Sequence, residues 1–521
     1  MPYPVSYVKA SADFKYFLFH FKQNRFYLLA ALTVTIIQFS IFKYIYPFPS
    51  FIAGDSYNYL NAAYKNYSIN IYPIGYSGFL RLVSVFTTSH LFLTALQYLL
   101  LQTSATLFTF TLLYFYKPAR WIKGLMVTFA ICNPVMLFLA NTILSDALFI
   151  TLSLVWFTLL IWMLHRPSFR LAAGLCVILW LAFCVRYNAL CYPFLSAIVI
   201  FLSPQTWKAK LLGALITFSL ITVFYLYNIS EYRRVTRTKI FCPFIGWQFA
   251  NNALYAYRYI DSADRKKVPA KLQGLDNMVR NYFDTSRNVK THPMEGLEAS
   301  TAYMWTRSAP LQQYMVHHYP FDTTIADLDV RQLKSWAKAA PILGEYGSWL
   351  IRHYPLSFAR HYLWINLHKY FTPPTEYLSL YNKGLPYIEP IEQSWFDLKS
   401  NKVNTRSRDI HAGSLDFYPI FCAMINALFL YLLCTYFLLK KKKRATLSGL
   451  LILTATFWLT NFAFSVFASP ISLRFQVFPL FISFNTLLLI MESILFSMGD
   501  RGDRPRTAAS NDPIYWQPSG Y

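Results

Sequence analysis

The sequence predicts an all-α protein that crosses a membrane about ten times and carries one mostly helical domain outside it. The chain of 521 residues is 55% hydrophobic, and its mean hydropathy of +0.32 is high for a soluble domain. Its apolar runs reach about 20 residues, the length that a helix needs to cross the hydrocarbon core of a bilayer. Between Asp13 and Glu231 only two acidic residues occur, Asp55 and Asp146.

Ten apolar runs are assigned as spans. The fifth and sixth are the least distinct, because Arg186-Tyr187-Asn188 separates two short runs that form either two helices or one kinked element. Residues 1–24 are polar, basic and aromatic and lack a small-residue cleavage site, so the first span is expected to remain as an anchor. The predicted spans are 25–46, 89–116, 121–140, 145–164, 169–185, 189–203, 208–229, 412–438, 446–468 and 471–496.

Lysine and arginine in the short loops predict the orientation. With ten spans, the basic loops all fall on one side of the membrane, among them the loop with KKKKR at 440–444. The positive-inside rule makes this side cytoplasmic. The loops 47–88, 141–145, 186–188, 230–411 and 469–471 then face outward. This assignment places four sparse charges at the same outer surface: Asp55, Asp146, Arg186 and Arg474.

Composition divides the chain into four parts. They are an N-terminal membrane block (1–229) that contains the first outward loop (47–88), an extracytoplasmic domain (230–411), the C-terminal spans (412–498) and a polar tail (499–521) that is expected to be disordered in the cytoplasm. The net charge of +24 is spread over many loops without a nucleic-acid-binding motif. Membrane lipids are therefore expected partners and nucleic acid is not. The seven cysteines lie mostly in or beside spans, which predicts free thiols.

The first outward loop has an order of its own. Gly54 permits a turn, and Asp55 then begins a predicted helix that continues to about Asn66. Tyr59 shares a face of this helix with Asp55. A short amphipathic stretch with Arg81 follows and is expected to lie in the membrane interface. Asp55 is either a simple helix cap or a functional carboxylate, and we favour the second because carboxylates near a bilayer are costly and usually kept for function.

Several short motifs, in a fixed order and on one predicted side, resemble a known superfamily. They are GDSYNYL (54–60), YPIGYSGFLRL (72–82), LSDALFITLSL (144–154), VRYNALCYPFL (185–195) and SLRFQVFPLF (472–481). Together they resemble polytopic GT-C glycosyltransferases, in the bacterial branch similar to protein O-mannosyltransferases and lipid A aminoarabinose transferases. Protein O-mannosyltransferases carry an Asp-Glu pair in the first loop, whereas Asp55 is followed here by Ser56, which argues against protein mannosylation.

The resemblance implies an activity and a place in the cell. It implies a GT-C fold, a polyprenyl-phosphate-linked sugar as donor, Asp55 at the reaction centre and a bacterial cytoplasmic (inner) membrane with the active site facing outward. The acceptor, whether glycan, lipid or protein, and the sugar stay open. No metal or other cofactor is expected, with a divalent cation as the alternative. The Asp327-Leu328-Asp329 triplet resembles a metal-binding motif, but its polar surroundings favour a solvated face.

Chemistry alone assigns roles to the same residues. Transfer to a hydroxyl needs a base, for which a positioned carboxylate such as Asp55 is suited. Direct displacement with inversion needs one such group rather than the carboxylate pair of a retaining hydrolase. Arg474, Arg186 and Arg81 are candidates to bind the departing phosphate, although each could instead snorkel to the interface. Asp146 and Tyr59 are expected to support the site, Asp146 by capping a helix or by orienting an arginine.

Two other functions stay open. A ligase or polymerase for lipid-linked glycans would also have many spans and a large outward loop, but its key arginines and histidines are expected in 230–411. A transporter would place charged groups near mid-membrane in interrupted, repeated helices, whereas the acids here cluster at one predicted face. The sequence therefore favours a glycosyltransferase.

Overall fold

A computed structural model describes residues 13–499 apart from 53, 204, 290, 293–298, 407–412, 414 and 440–444. It is 77% helical and has no strand among these residues. The predicted tail, except Gly499, and the KKKKR loop lie outside the described residues. The membrane part contains α1 (Phe14–His20), α2 (Lys22–Ile45), α3 (Asp55–Tyr64), α4 (Gly75–Ser84), α5 (His90–Tyr116), α6 (Arg120–Ile131), α7 (Pro134–Asn141), α8 (Asp146–His165), α9 (Phe169–Val185), α10 (Tyr192–Leu202) and α11 (Trp207–Thr236).

A second group of helices lies between α11 and the last spans, and we call it the loop domain. It consists of α12 (Pro243–Tyr257), α13 (Gln273–Asn281), α14 (Ala302–Trp305), α15 (Pro310–His318), α16 (Leu328–His353), α17 (Pro355–Phe358), α18 (Trp364–Phe371) and α19 (Pro390–Trp395). Short 3-10 or π turns cover Ser262–Asp264, Ala270–Leu272, Tyr282–Ser286, Ala359–Leu363, Glu376–Leu378 and Tyr381–Gly384. The chain then returns to α20 (Tyr418–Leu438), α21 (Ala445–Ala468) and α22 (Leu473–Gly499).

The chain is an all-α, multi-pass membrane protein. Within the described ranges, eight helical segments are long and apolar enough to cross a membrane. They are α2, α5, the α6–α7 pair, α8, α11, α20, α21 and α22. The region 169–203 forms two shorter apolar helices, Phe169–Val185 and Tyr187–Leu202, because the chain is extended at Arg186. The count of ten spans therefore stays a prediction.

Local sequence explains where several of these helices begin and end. Ser89 caps α5 by accepting a hydrogen bond from the backbone N–H of Phe92 at 3.3 Å. The predicted span 121–140 is interrupted, because Asn133 and Pro134 end α6 and start α7. Asn133 accepts from the backbone N–H of Val135, and proline at the first helical position costs no hydrogen bond.

Helix α22 lies at the centre of the membrane part. Of its most apolar stretch, 83% is buried inside the molecule, compared with 17% for α2 and for α11. Apolar residues such as Leu29, Ile36, Leu215 and Val223 on α2 and α11 are exposed, as expected of helices that face lipid. A polar residue on α22 is therefore enclosed by other helices rather than by lipid.

The loop domain has its own core around α12 and α16. Trp247 and Trp336 stack with ring centroids 4.1 Å apart, and Trp305 lies against Trp336 at 4.9 Å. The two helices approach so closely that a Cβ on Gly246 would lie 2.0 Å from the carbonyl oxygen of Ala340. Glycine is therefore required at position 246 for this packing.

Between α18 and α20, the chain folds back over the start of the first loop. We call this stretch, which includes α19, the covering segment. The side-chain oxygen of Asn382 accepts from the backbone N–H of Phe51 at 3.1 Å, and its own backbone N–H donates to Ser50 Oγ at 3.0 Å. Tyr381 donates its hydroxyl to the carbonyl of Phe48 at 3.1 Å. The loop domain thus holds the segment that leads into α3 and Asp55.

A buried acid in this covering segment predicts a pH-dependent stability. Glu392 of α19 is 1% exposed, and α19 packs against α3. One carboxylate oxygen accepts from the backbone N–H of Glu389 at 2.9 Å, and the other has no partner in the described chain. Burial raises the pKa of Glu392 from 4.5 to about 7. The folded protein therefore keeps this proton in a range where the unfolded chain has lost it.

We expect the ionisation of Glu392 to lower the free energy of unfolding as the pH rises from 4.5 to about 7. The loss is at most about 3–4 kcal/mol, since the two pKa values differ by about 2.5 and each pKa unit corresponds to about 1.4 kcal/mol. Glu392→Gln keeps the cap hydrogen bond but cannot ionise. Denaturant unfolding between about pH 5 and about pH 8 should show the variant gaining on the wild type as the pH rises. Parallel pH profiles would contradict this role.

The predicted orientation can be measured directly. A reporter inserted near Lys440 should read cytoplasmic and one near Gly296 extracytoplasmic, because the positive-inside rule places these loops on opposite sides. A third reporter after Lys117 serves as an internal control and should agree with the one at Lys440. Reporters at Lys440 and Gly296 that read the same side would overturn the ten-span topology.

Candidate functional site: a charge network at one end of the bundle

Four charged side chains that are far apart in the sequence meet in one network. Arg474 Nη1 lies 3.5 Å from Asp55 Oδ2 and 3.5 Å from Asp146 Oδ2. Arg186 pairs with the other carboxylate oxygen of Asp146. The charges of the two arginines and two aspartates balance. Pairing with opposite charges offsets the desolvation cost of burying each of these side chains near a membrane.

Helix ends bring the two aspartates together. Asp55 is the first residue of α3 and Asp146 the first of α8, where a carboxylate is favoured by the helix dipole. Ser56 Oγ donates to the carbonyl of Ile143 at 2.9 Å and accepts from the backbone N–H of Ile52 at 2.9 Å. These bonds fix the start of α3 against the segment that leads into α8.

The arginines also come from helix ends. Arg186 directly follows α9, whose end packs closely on α4: a Cβ on Gly75 would lie 2.5 Å from the carbonyl oxygen of Cys184. Gly75, the first glycine of the YPIGYSG motif, is therefore required for the close contact between α4 and the end of α9. Arg474 is the second residue of α22. The ring of Phe475 lies 4.8 Å from both guanidinium groups, so one aromatic face contacts the two cations.

Asp55 is the more accessible of the two carboxylates. Its side chain is 24% exposed, whereas that of Asp146 is 3% exposed. Tyr72 donates its hydroxyl to Asp55 Oδ1 at 2.6 Å. Burial and the charge of Asp55 raise the pKa of Tyr72 well above its ordinary value, so the phenol stays protonated as a donor. Asp55 thus has specific side-chain partners, Tyr72 and Arg474, and makes no helix-capping hydrogen bond in the described part of the chain.

Arg474 has one N–H group without an acceptor among the described residues. Its side chain is 14% exposed, and its Nε is buried with no hydrogen-bond partner in the part of the chain that the structure describes. A buried N–H without a partner costs about 1–3 kcal/mol. Its contacts with the two aspartates are long, at 3.5 Å each. An anion with several oxygens would satisfy this guanidinium better than the protein does.

Sequence reasoning missed two residues on the covering segment. Tyr377 lies with its ring 5.3 Å from the Arg474 guanidinium, and Lys383 Nζ lies 4.5 Å from the centre of the same ring. The backbone N–H of Leu473 donates to the carbonyl of Pro374 at 2.9 Å, which brings this segment to the start of α22. Only the Pro-Pro break before Tyr377 hinted at such a return.

The backbone that presents Lys383 is strained. Asn382 and Lys383 have φ values of 47° and 53°, and Gly384 follows at 74°. Non-glycine residues rarely adopt this left-handed conformation, and such strain persists where the surroundings fix it. Burial lowers the pKa of Lys383, and the nearby charge of Asp55 opposes that shift. Lys383 and Arg474 both contact the ring of Tyr377, so Lys383 is a second basic side chain near Arg474.

The other sequence candidates take different places. Tyr59 is buried and its hydroxyl hydrogen-bonds to Ser145 Oγ at 3.0 Å, next to Asp146. Its ring stacks on Tyr72 at 5.2 Å, so it supports Asp55 through that residue. Arg81 is exposed and donates to the carbonyl of Ala63 at 3.1 Å, near the far end of α3 from Asp55. Arg81 is not part of the charge network.

The Asp327-Leu328-Asp329 triplet links the loop domain to α3. Lys65 Nζ lies 3.1 Å from Asp327 and 2.7 Å from Asp329. Tyr57 and Asn61 of α3 also donate to Asp329, at 3.0 and 2.9 Å. The triplet is thus a clamp between two helices rather than the solvated face expected from its polar surroundings. Across the described residues, no group of three or more His, Cys, Asp or Glu side chains is placed to hold a metal ion.

The fold and site place the chain in the class of multi-pass, all-α membrane proteins with a charge network at one end of the helix bundle. Comparison with known proteins goes no further. No family model, curated protein or solved structure matches the chain.

Proposed function

We propose that the protein is a membrane glycosyltransferase of GT-C type, with ten spans, in a bacterial cytoplasmic membrane. It would transfer a sugar from a polyprenyl-phosphate donor to an acceptor at the outer face. The observation that carries this proposal is the pairing of Asp55, the more exposed carboxylate, with Arg474, a half-buried guanidinium whose buried Nε–H is unused. A base and a phosphate-binding cation side by side are what the reaction requires.

Asp55 acts as the general base. The acceptor hydroxyl loses its proton to the Asp55 carboxylate as its oxygen forms a bond to the anomeric carbon of the sugar. The bond from that carbon to the phosphate oxygen breaks, and the electron pair leaves with the polyprenyl phosphate. One carboxylate suffices for this displacement, and the sugar carbon is inverted. Tyr72, which donates to Asp55 at 2.6 Å, orients the base.

Arg474 and Lys383 stabilise the leaving phosphate. The diester phosphate of the donor carries one negative charge and gains a second as the bond to the sugar breaks, so cations at this point lower the barrier. Arginine offers two parallel N–H groups to phosphate oxygens. Arg186 pairs with the buried Asp146 and acts as a positioning residue. Because Arg186 neutralises Asp146, Arg474 is available to bind the donor phosphate.

The position of the charges supports an enzyme over a transporter. Asp55, Asp146 and Arg474 lie at the first turns of helices, and Arg186 lies at the junction of the two shorter apolar helices Phe169–Val185 and Tyr187–Leu202. Transporters place their binding groups in broken helices near the midplane. The main site residues also come from the first loop and the last span, whereas a glycan ligase is expected to use the loop domain.

The proposal is tested with the purified full-length protein in lipid nanodiscs. Native mass spectrometry should find bound polyprenyl-phosphate hexose or pentose after purification or after incubation with the synthetic lipid. Incubation with cell-envelope acceptor should then release free polyprenyl monophosphate. Release of a polyprenyl diphosphate would instead indicate a ligase. If the donor stays intact and no product forms with any acceptor tested, the proposal is contradicted.

A further inference from the structure

A cleft of about 250 Å³ with mixed polar and apolar walls lies along α3. Its walls are α3 and the segment that follows it, the last turn of α11 and the first turns of α16. The volume is below the roughly 300–1,000 Å³ of pockets that enclose drug-sized ligands, so the cleft fits one small ring.

Amide side chains dominate this cleft. Four asparagines line it, together with Gln332 and Ser68. An amide offers both donors and an acceptor, which is the complement of a sugar hydroxyl. The remaining wall is apolar and includes Ile69, Ile71 and Leu333, which suits the C–H face of a sugar ring. The lining therefore favours a ligand rich in hydroxyls.

The charged groups of the cleft are neutralised within the protein. Asp329 pairs with Lys65 at 2.7 Å, and Arg234 pairs with Glu231 at 2.6 Å. Neither charge needs a ligand to balance it. A neutral ligand is therefore favoured over an anion such as phosphate.

Two amides at the cleft have unused hydrogen-bonding capacity. Asn66 and Gln332 are exposed, and their side chains make no hydrogen bond to other residues that the structure describes. Asn66 has a φ of 52°, which asparagine tolerates better than most residues. These two side chains can bind a ligand without breaking an existing bond.

The cleft begins about one helical turn from the proposed base, at Asn58, and continues past the other end of α3, where Asn66 lines it. Asn58 lines it and lies three residues after Asp55 on α3. This spacing puts the two residues on neighbouring positions of one helix face, roughly 4.5 Å apart along the axis. A glycan with one unit between Asn66 and Gln332 can thus extend along α3, over Asn58, towards Asp55.

We propose that this cleft binds one sugar unit of a neutral acceptor, so that the acceptor is a glycan or a glycosylated molecule. Sugar binding follows from the cleft alone, while its role as the acceptor subsite rests on the proposed function. Asn66 and Gln332 donate to and accept from the ring hydroxyls, and the apolar wall contacts the ring face.

The test uses saturation-transfer NMR on the full-length protein in nanodiscs. The probes are maltose, cellobiose and chitobiose, with glucose 6-phosphate and inorganic phosphate as anionic comparisons. At least one neutral disaccharide should bind. Asn66→Gly, which keeps the left-handed backbone, and Gln332→Ala should each weaken its binding about 3- to 10-fold, the effect of losing one hydrogen bond. Gln273→Ala, an exposed glutamine on α13, is the matched control and should bind normally.

Three results would overturn the cleft assignment: no binding of any neutral disaccharide, binding of the anions only, or unchanged affinity in both cleft variants. Donor affinity should stay normal in these variants, which verifies folding and separates the cleft from the phosphate site. If the disaccharide binds and the cleft variants weaken it, but no donor lipid binds, then the proposed glycosyltransferase function fails while the sugar site stands.

Discussion

Replacement of Asp55 by asparagine is expected to reduce sugar transfer at least about 100-fold, the usual contribution of a general base. Asparagine keeps the size of the side chain and an oxygen that can accept from Tyr72, but it cannot take a proton. Arg474 retains Asp146 as a partner, so the charge network persists. The measurement is the initial rate of radiolabelled sugar transfer at saturating donor, with donor affinity measured in parallel.

Asp264→Asn provides the control for Asp55→Asn. Asp264 is an exposed carboxylate in the loop domain, and its loss should leave the rate unchanged. The decisive pattern is a low rate with normal donor affinity in Asp55→Asn alone. If Asp55→Asn transfers sugar at the wild-type rate, Asp55 is only a structural partner of Arg474, and the base must be sought elsewhere.

The gathering of charges at one end of the helix bundle could be predicted because the cost of burying charge limits where it occurs. Asp55, Asp146, Arg186 and Arg474 stand out against long apolar runs, and the loop lysines set their common side. Direct contact between them could not be predicted, since it depends on how the ends of α3, α8, α9 and α22 pack. The same apolar pattern fits many arrangements of helices.

The contribution of the loop domain to the site is invisible in the sequence for a different reason. Lys383 lies near Arg474, at the ring of Tyr377, only because Tyr381 and Asn382 hydrogen-bond to the segment before α3, across more than 300 positions of sequence. A lysine in a polar loop carries no signal of its own. The same holds for Tyr72, whose link to Asp55 depends on the turn between α3 and α4. Arg81 shows the converse, because its sequence neighbourhood pointed to the site and its side chain binds the carbonyl of Ala63 instead.

Helix boundaries were predicted well for α3 and α5. The predicted helix from Asp55 to about Asn66 is observed as Asp55–Tyr64, and the span 89–116 as His90–Tyr116. The break at Asn133-Pro134 was missed, although an Asn-Pro pair commonly marks a turn or a helix start. The residues on both sides of the break are apolar. Hydropathy therefore shows one apolar run of spanning length and does not show that its helix is interrupted.

Replacement of Arg474 by alanine should weaken binding of a polyprenyl-phosphate sugar by roughly 2–5 kcal/mol, the cost of truncating one partner of a buried charge pair. The donor phosphate would lose its principal cation, and Lys383 alone cannot supply the planar pair of N–H groups. Arg474→Lys keeps the positive charge between Asp55 and Asp146 but lacks this geometry, so it should recover only part of the affinity. Donor titration by native mass spectrometry or fluorescence quenching measures both variants.

Arg81→Ala is the matched control for Arg474→Ala, since both arginines follow from the sequence as phosphate candidates and only Arg474 lies in the network. Its donor affinity should stay close to that of the wild type. Arg474→Ala leaves Asp55 without its arginine, while Asp146 keeps Arg186. Its unfolding is therefore measured alongside, and Arg474→Lys is used for the comparison if alanine destabilises the fold. Unchanged donor affinity in a folded Arg474 variant, together with a loss in Arg186→Ala, would move the phosphate to Arg186 and leave Arg474 as the residue that holds the two aspartates together.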